Sequence, residues 1–119
     1  MHNFKELKVW QKSKTLVKEI YVLTRKFPND ERFGLTNQLR RASVSVPSNI
    51  AEGCGRGTDK QLIHFLNIAI GSLCEIETQL MLSFDLGFIE EKELKILISE
   101  VYQIQKMGYN LKKKLGERE

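Results

Sequence analysis

Apolar residues recur along this chain at intervals of three and four, in four long stretches separated by short breakers. That spacing puts them on one face of a helix. The first stretch covers residues 3–26, with Leu7, Trp10, Val17, Ile20, Leu23 and Phe27 turned inward. Pro28, Asn29 and Asp30 end it, because proline disfavours helix at the residue before it and Asn and Asp favour turns. The second starts near Leu35, carries Leu39, Ala42, Val46 and Ile50 as its core stripe, and ends in the glycine-rich run 53–57. Thr58, Asp59, Lys60 and Gln61 then read as a capping box, Thr58 capping the third helix and Gln61 reaching back. That helix runs to Leu86 with Leu62, Phe65, Leu66, Ala69, Leu73, Ile76 and Leu80 inward, and Gly87 suits the left-handed position beyond its end. The fourth carries Leu94, Ile98, Val101, Ile104, Gly108, Leu111 and Leu115. No segment alternates with period two. Short connections between long helices force antiparallel neighbours, so the expected fold is all-α: one domain, residues 1–119, forming an up-down-up-down four-helix bundle.

Two helices carry a second, polar pattern. In the run QLRRASVSVPSNIAEGCGR, residues 38–56, Gln38, Arg41, Ser45, Asn49, Glu52 and Arg56 share one helical face. In FLNIAIGSLCEIETQL, residues 65–80, Ser72, Glu75 and Gln79 do the same. A helix pair with an apolar seam and a patterned polar seam has two surfaces to satisfy, which points to an assembly or a ligand. Arg41, Asn49, Glu52, Ser72, Glu75 and Gln79 are therefore read as a structural polar network or interface, with Glu52 and Glu75 available to Arg41 or Arg56 within a chain or between chains. Pro47 lies inside the second helix. It lacks an N–H and its ring crowds the carbonyl of Ser43, so the helix is expected to kink there, with Ser43, Ser45 and Ser48 near the freed backbone groups.

Charge changes the picture more than bulk composition does. The net charge is +4, yet residues 1–26 hold seven Lys or Arg against two Glu. The N-terminal helix is thus the expected place to meet an anion. Lys5, Lys8 and Lys12 are read on one of its faces and Lys14, Lys18 and Arg25 on another, with Arg40, Arg56 and Lys60 near the ends of helices two and three. No unbroken apolar run approaches the ~20 residues of a membrane span, and the start MHNFKELKVW has no apolar signal region. The expectation is a cytoplasmic protein without a membrane partner, whose Cys54 and Cys74 are free, mostly buried thiols.

Catalytic chemistry finds little support. His2 lies near the terminus, and His64 has no carboxylate or thiol at triad spacing. Di-iron bundles use paired Glu-x-x-His motifs, but position 61, three before His64, is Gln. The Gly53, Gly55 and Gly57 spacing lacks both the Walker ending and the dinucleotide fingerprint. Glu52, Glu75 and Glu77 read as structural carboxylates. The sequence therefore predicts no enzyme, no catalytic residue, no cofactor and no metal.

The segments quoted above also carry a resemblance. RRA-x-x-S-x-P-x-NIAEG at positions 40–53 and A-x-GSL-x-E-x-E-x-QL at positions 69–80 resemble, residue by residue, the four-helix-bundle family encoded in intervening sequences of bacterial large-subunit ribosomal RNA genes, often labelled ribosomal proteins. The likeness extends from FKELKVWQKS through KFPNDERFGLTNQLRRA into the last helix and fades after Leu111. It implies a bundle that assembles into a ring, typically a pentamer. A related branch serves diversity-generating retroelements as an accessory protein that binds nucleic acid and reverse transcriptase. Two functions stand as expectations: a homo-oligomer that binds nucleic acid, foremost structured RNA, by phosphate contacts without base readout, or a structural ring that meets a protein partner and no nucleic acid.

Overall fold

The computed structural model describes residues 2–117. Among them lie α1 (Lys8–Thr24), α2 (Leu35–Gly55), α3 (Asp59–Asp85) and α4 (Glu91–Glu117), with 3-10 turns at Phe4–Glu6 and Asn29–Glu31, and no strand. The body measures 47 × 23 × 19 Å. Each helix packs on two others, α2 meeting α3 most extensively and α1 meeting α4 least, while among the described residues the diagonal pairs stay more than 8 Å apart at Cα.

Cross-helix pairs fix the antiparallel order. Ser45 faces Ser72 and Gln38 faces Gln79 between α2 and α3. Gln105 of α4 reaches Cys74 of α3. Lys26, just past α1, pairs with Glu93 in the first turn of α4. Residues ahead of α1 lie against Ala51, Cys54 and Gly55 at the end of α2, while Arg40 near its start bonds Thr24 at the end of α1.

The core stripes depart from the expected ones in phase. Val9, Leu16, Ile20, Leu23 and Phe27 are buried, whereas Leu7, Trp10 and Val17 are half-buried. α1 begins at Lys8, after an extended Leu7, and not at residue 3. The preceding 3-10 turn folds Phe4 onto Trp10, ring centroids 5.1 Å apart, which holds both at the rim. In α4, Leu97 takes the inward place expected for Ile98. Small hydroxyls also enter the core: Ser13, Thr24, Ser43 and Ser83 are buried, each donating to a carbonyl three or four residues back. Their polar atoms are satisfied inside their own helices, so a hydropathy pattern overlooks them.

Helix boundaries follow local chemistry. Glu31 Oε1 accepts from Leu35 N at 3.1 Å and caps α2, which has no capping side chain at Gly34. α2 continues unbroken through Pro47. The serines do not rescue the Ser43 carbonyl: Ser43 donates to Arg40 O and Ser45 bonds Ser72. α2 runs on past Gly53 to Gly55, inside the glycine-rich run expected to end it, and the chain turns at Gly57 with φ +88°. Gly53 instead permits close approach, since a Cβ there would lie 2.9 Å from Phe65 Cβ and 3.2 Å from Leu62 Cα. Thr58 Oγ1 accepts from Gln61 N at 3.2 Å, and no bond returns from the Gln61 side chain. Gly87, φ +81°, closes α3 with Gly87 N donating to Phe84 O and Phe88 N to Ser83 O, both at 2.9 Å, the paired bonds of a Schellman motif.

α3 matches a membrane-spanning helix in length and composition, with an 18-residue window of mean hydropathy 1.2, although no single apolar run in it is that long. Its charges are few and its apolar stripe faces the other helices.

Candidate nucleic-acid interface and polar seam

Lys8, Lys12, Lys14 and Lys18 are all exposed on α1, and Arg25 is exposed at its C-cap. Lys8 and Lys12 share one edge by their spacing of four, and Lys14, Lys18 and Arg25 share another by spacings of four and seven. Lys5, expected beside Lys8 and Lys12, sits in the 3-10 turn beyond the extended Leu7, which interrupts that face. Lys14 Nζ stands 5.3 Å from the Trp10 ring centroid.

Two of the arginines are already engaged. Arg40 is half-buried between α1 and α2, its Nε donating to Thr24 Oγ1 at 2.9 Å and its guanidinium 4.6 Å from the Tyr21 centroid. Stacking and a buried hydroxyl orient it toward the seam. Arg56 Nε donates to Glu52 Oε2 at 3.2 Å while its guanidinium lies 5.1 Å from the Phe65 centroid. Lys60 is exposed in the first turn of α3.

The antiparallel order gathers the start of α1, the end of α2, the start of α3 and the end of α4 at one end of the bundle. Lys5, Lys8, Arg56 and Lys60 therefore share that end with Lys112, Lys113 and Lys114. The three lysines were outside the sequence-based candidates, although their uninterrupted run was the available signal. Lys112 Nζ lies 5.2 Å from the Tyr109 centroid. The opposite end holds both signs, Glu31, Asp85, Glu90, Glu91 and Glu93 beside Arg25, Lys26, Arg32, Lys92 and Lys95.

The polar residues of α2 and α3 do meet, over part of their length. Ser45 and Ser72 hydroxyls are 2.9 Å apart, Asn49 Nδ2 donates to Ser45 O at 2.8 Å and to Ser45 Oγ at 2.9 Å, and Gln79 Nε2 donates to Gln38 Oε1 at 3.5 Å. Ser72 and Gln79 are buried. Glu52 is exposed and pairs within α2, so it does not cross-link the helices. Arg41 and Glu75 are exposed on the two walls of a groove of about 500 Å³, with Phe33 at its rim.

A second cluster had no sequence signature. Glu19 of α1 and Glu100 of α4 face each other across the thinnest seam, in a cleft that also holds Lys12 and Lys95. Burial, then a hydrogen bond and charge repulsion from Glu100, push the Glu19 carboxyl up to about 7, while Lys12 pulls the other way. Glu93 is held below the ordinary carboxylate range by the Glu90 N–H, which donates to its Oε1 at 2.9 Å, and by Lys26. Burial pushes the Cys54 thiol up. Cys74, expected to be buried, is exposed, because it lies one position outside the inward stripe at Leu73.

The sequence profile of the 23S rRNA-intervening sequence proteins matches residues 5–110. The chain belongs to that family. The match takes in all of α1, α2 and α3 and most of α4. Both polar stripes lie inside it, whereas Lys112, Lys113 and Lys114 lie beyond it. A crystal structure of a protein of unknown function from the S23 ribosomal protein family of Bacteroides thetaiotaomicron superposes with a TM-score of 0.81. It is 24% identical, and the alignment covers 88% of this chain and 95% of that one. This likeness gives the fold. No curated protein matches the chain.

Proposed function

We propose that this member of the 23S rRNA-intervening sequence family is a non-enzymatic, cytoplasmic homo-oligomer that binds nucleic acid, foremost structured RNA, through its basic end and the outer face of α1. The observation that carries this reading is the convergence of exposed cations from three separate parts of the chain, Lys5 and Lys8, Lys60, and Lys113 with Lys114, at one end, with the half-buried Lys112 beside them. Cations so placed suit phosphates, and nothing in the pattern suits base edges. One chain offers few contacts. A closed ring, a pentamer by family resemblance, repeats the patch in every subunit, and multivalency can raise affinity by ~10²–10⁴ when contacts form together.

Titration of the protein with structured RNA and with duplex and single-stranded DNA at two salt concentrations tests this. The expected result is binding indifferent to sequence, with a log–log salt slope of about −0.9 per phosphate neutralised on duplex DNA and about −0.7 on single strands. Absence of binding at ~50 mM salt, where such contacts are strong, leaves the protein-interaction ring in its place.

A further inference from the structure

α4 changes character along its length. Residues 91–100 hold Glu91, Glu93 and Glu100, whereas residues 101–116 hold Lys106, Lys112, Lys113 and Lys114 and no Asp or Glu. Within that acid-free stretch Tyr102, Lys106, Tyr109 and Lys113 follow one another by four, three and four positions, which puts them in one row. The inward row, Val101, Ile104, Gly108 and Leu115, is buried. The tyrosines lie outside it: Tyr102 is 64% exposed and Tyr109 53%, and Lys106 and Lys113 are exposed beside them.

One exposed apolar residue is ordinary. Two aromatic rings in register with two cations form a pattern, and it matches the chemistry of an unpaired nucleotide, whose base stacks on a ring while its phosphate meets a lysine. A duplex keeps its base faces inside the stack, but loops and single strands expose them. Lys112 Nζ lies 5.2 Å from the Tyr109 centroid, so a cation is already held at that ring. Glu77 of α3, by contrast, borders the groove beside Tyr102. Tyr109 is therefore the more favourable stacking position. Seven helical residues set the two Cα atoms ~10 Å apart. At a stacked rise of ~3.4 Å per nucleotide, a strand along α4 passes about three nucleotides between the rings and continues onto Lys113 and Lys114 at the basic end.

We propose that the outer row of α4 is a stacking platform for unpaired nucleotides, with bases on Tyr102 and Tyr109 and phosphates on Lys106 and Lys113. This rests on the nucleic-acid reading above and names the part of a structured RNA that the protein takes: a loop or single-stranded stretch. Base identity matters little, since every base has a π-face.

Fluorescence anisotropy provides the test, with the full chain titrated into a short labelled RNA strand without internal pairing and into the same strand annealed to its complement. Tyr102→Ala and Tyr109→Ala should each weaken single-strand binding by at least about fivefold, the lower end for a lost stacked base, with Tyr109→Ala the larger effect. Tyr109→Phe keeps the ring and should keep the affinity. Neither alanine variant removes a charge, so the log–log salt slope and duplex binding should stay as in the wild type. Because both rings are exposed, helix content by circular dichroism and the sedimentation coefficient should not change. Unchanged single-strand affinity in either alanine variant, or an equal loss on single strand and duplex, overturns the platform and leaves binding through the basic end standing. A lower sedimentation coefficient in the alanine variants makes the row a contact between copies and likewise overturns it. A wild type that binds neither strand nor duplex removes the nucleic-acid reading and the platform together.

Discussion

Gly53 and Gly108 are both buried helical glycines, yet their surroundings predict opposite outcomes for the same substitution. At Gly53 a methyl group would meet the α3 backbone at Leu62 Cα, 3.2 Å away, and Phe65 Cβ at 2.9 Å. Neither can swing aside, so α2 and α3 must separate. Overpacking of that kind costs ~1–3 kcal/mol, which outweighs the helix-propensity gain of about 1 kcal/mol. Gly53→Ala should lower the denaturant midpoint. At Gly108 the nearest atoms are the flexible end of Ile70 at 3.4–3.5 Å, an ordinary contact, so Gly108→Ala should be neutral or stabilising by up to ~1 kcal/mol. Equal losses in both variants on urea unfolding would contradict this account. Glu19 makes a further residue-level prediction. Its ordinary carboxyl value of 4.5 is raised to about 7 in the folded chain, so the folded state holds the extra proton. The contribution is full below 4.5 and is lost as pH rises through about 7. Glu93, with its lowered value, acts in the other direction and only on acidification. Glu19→Gln should flatten the decline in stability between pH 4.5 and about 7, measured as thermal midpoints in a pH series; an unchanged slope would mean the carboxyl is not the responsible group.

At the scale of elements, capping decided where helices begin and packing decided which side they bury. Thr58 was legible as a cap because an N-terminal N–H needs an acceptor and threonine supplies one at the right reach. Thr58→Ala should cost ~1 kcal/mol in urea unfolding, with no effect on the other helices. An unchanged midpoint would show that the Gln61 N–H gains nothing from the hydroxyl. The cap of α2 was not legible, since Glu31 acts from four residues back within a 3-10 turn. The seam between α1 and α4 was equally hidden. It is the least packed of the four, and the Glu19–Glu100 pair within it belongs to helices that the sequence separates by some 80 positions.

At the scale of the molecule, the candidate interface depends on topology. Replacing Lys112, Lys113 and Lys114 by Gln should weaken nucleic-acid binding and reduce the salt slope by roughly 0.7–0.9 for each phosphate no longer neutralised, with assembly unchanged. Replacing Lys8, Lys12 and Lys18 by Gln should do the same from the α1 side. If only the second set matters, binding runs along α1 and the basic end is not involved. The polar groove between α2 and α3 is a separate surface, so substitutions at Arg41 or Glu75 should reach nucleic-acid binding only through assembly.

The helix count, the breakers, Thr58 and Gly87, and the apolar stripes of α2 and α3 were settled by the sequence, because each depends on interactions within a few residues. The polar stripe of Ser45, Asn49, Ser72 and Gln79 was visible for the same reason: helical spacing alone puts its members on one side. Tertiary structure decided the rest. It determined the rotation of α1, since a 3-10 turn and an extended Leu7 shift its start. It assigned Gly53 to close helix contact, withdrew Arg40 into a seam, set Glu19 against Glu100 and left Cys74 outside. It also brought the lysines of both termini to one end. Each of these outcomes depends on which helix lies beside which, and that is fixed only when distant stripes pack together.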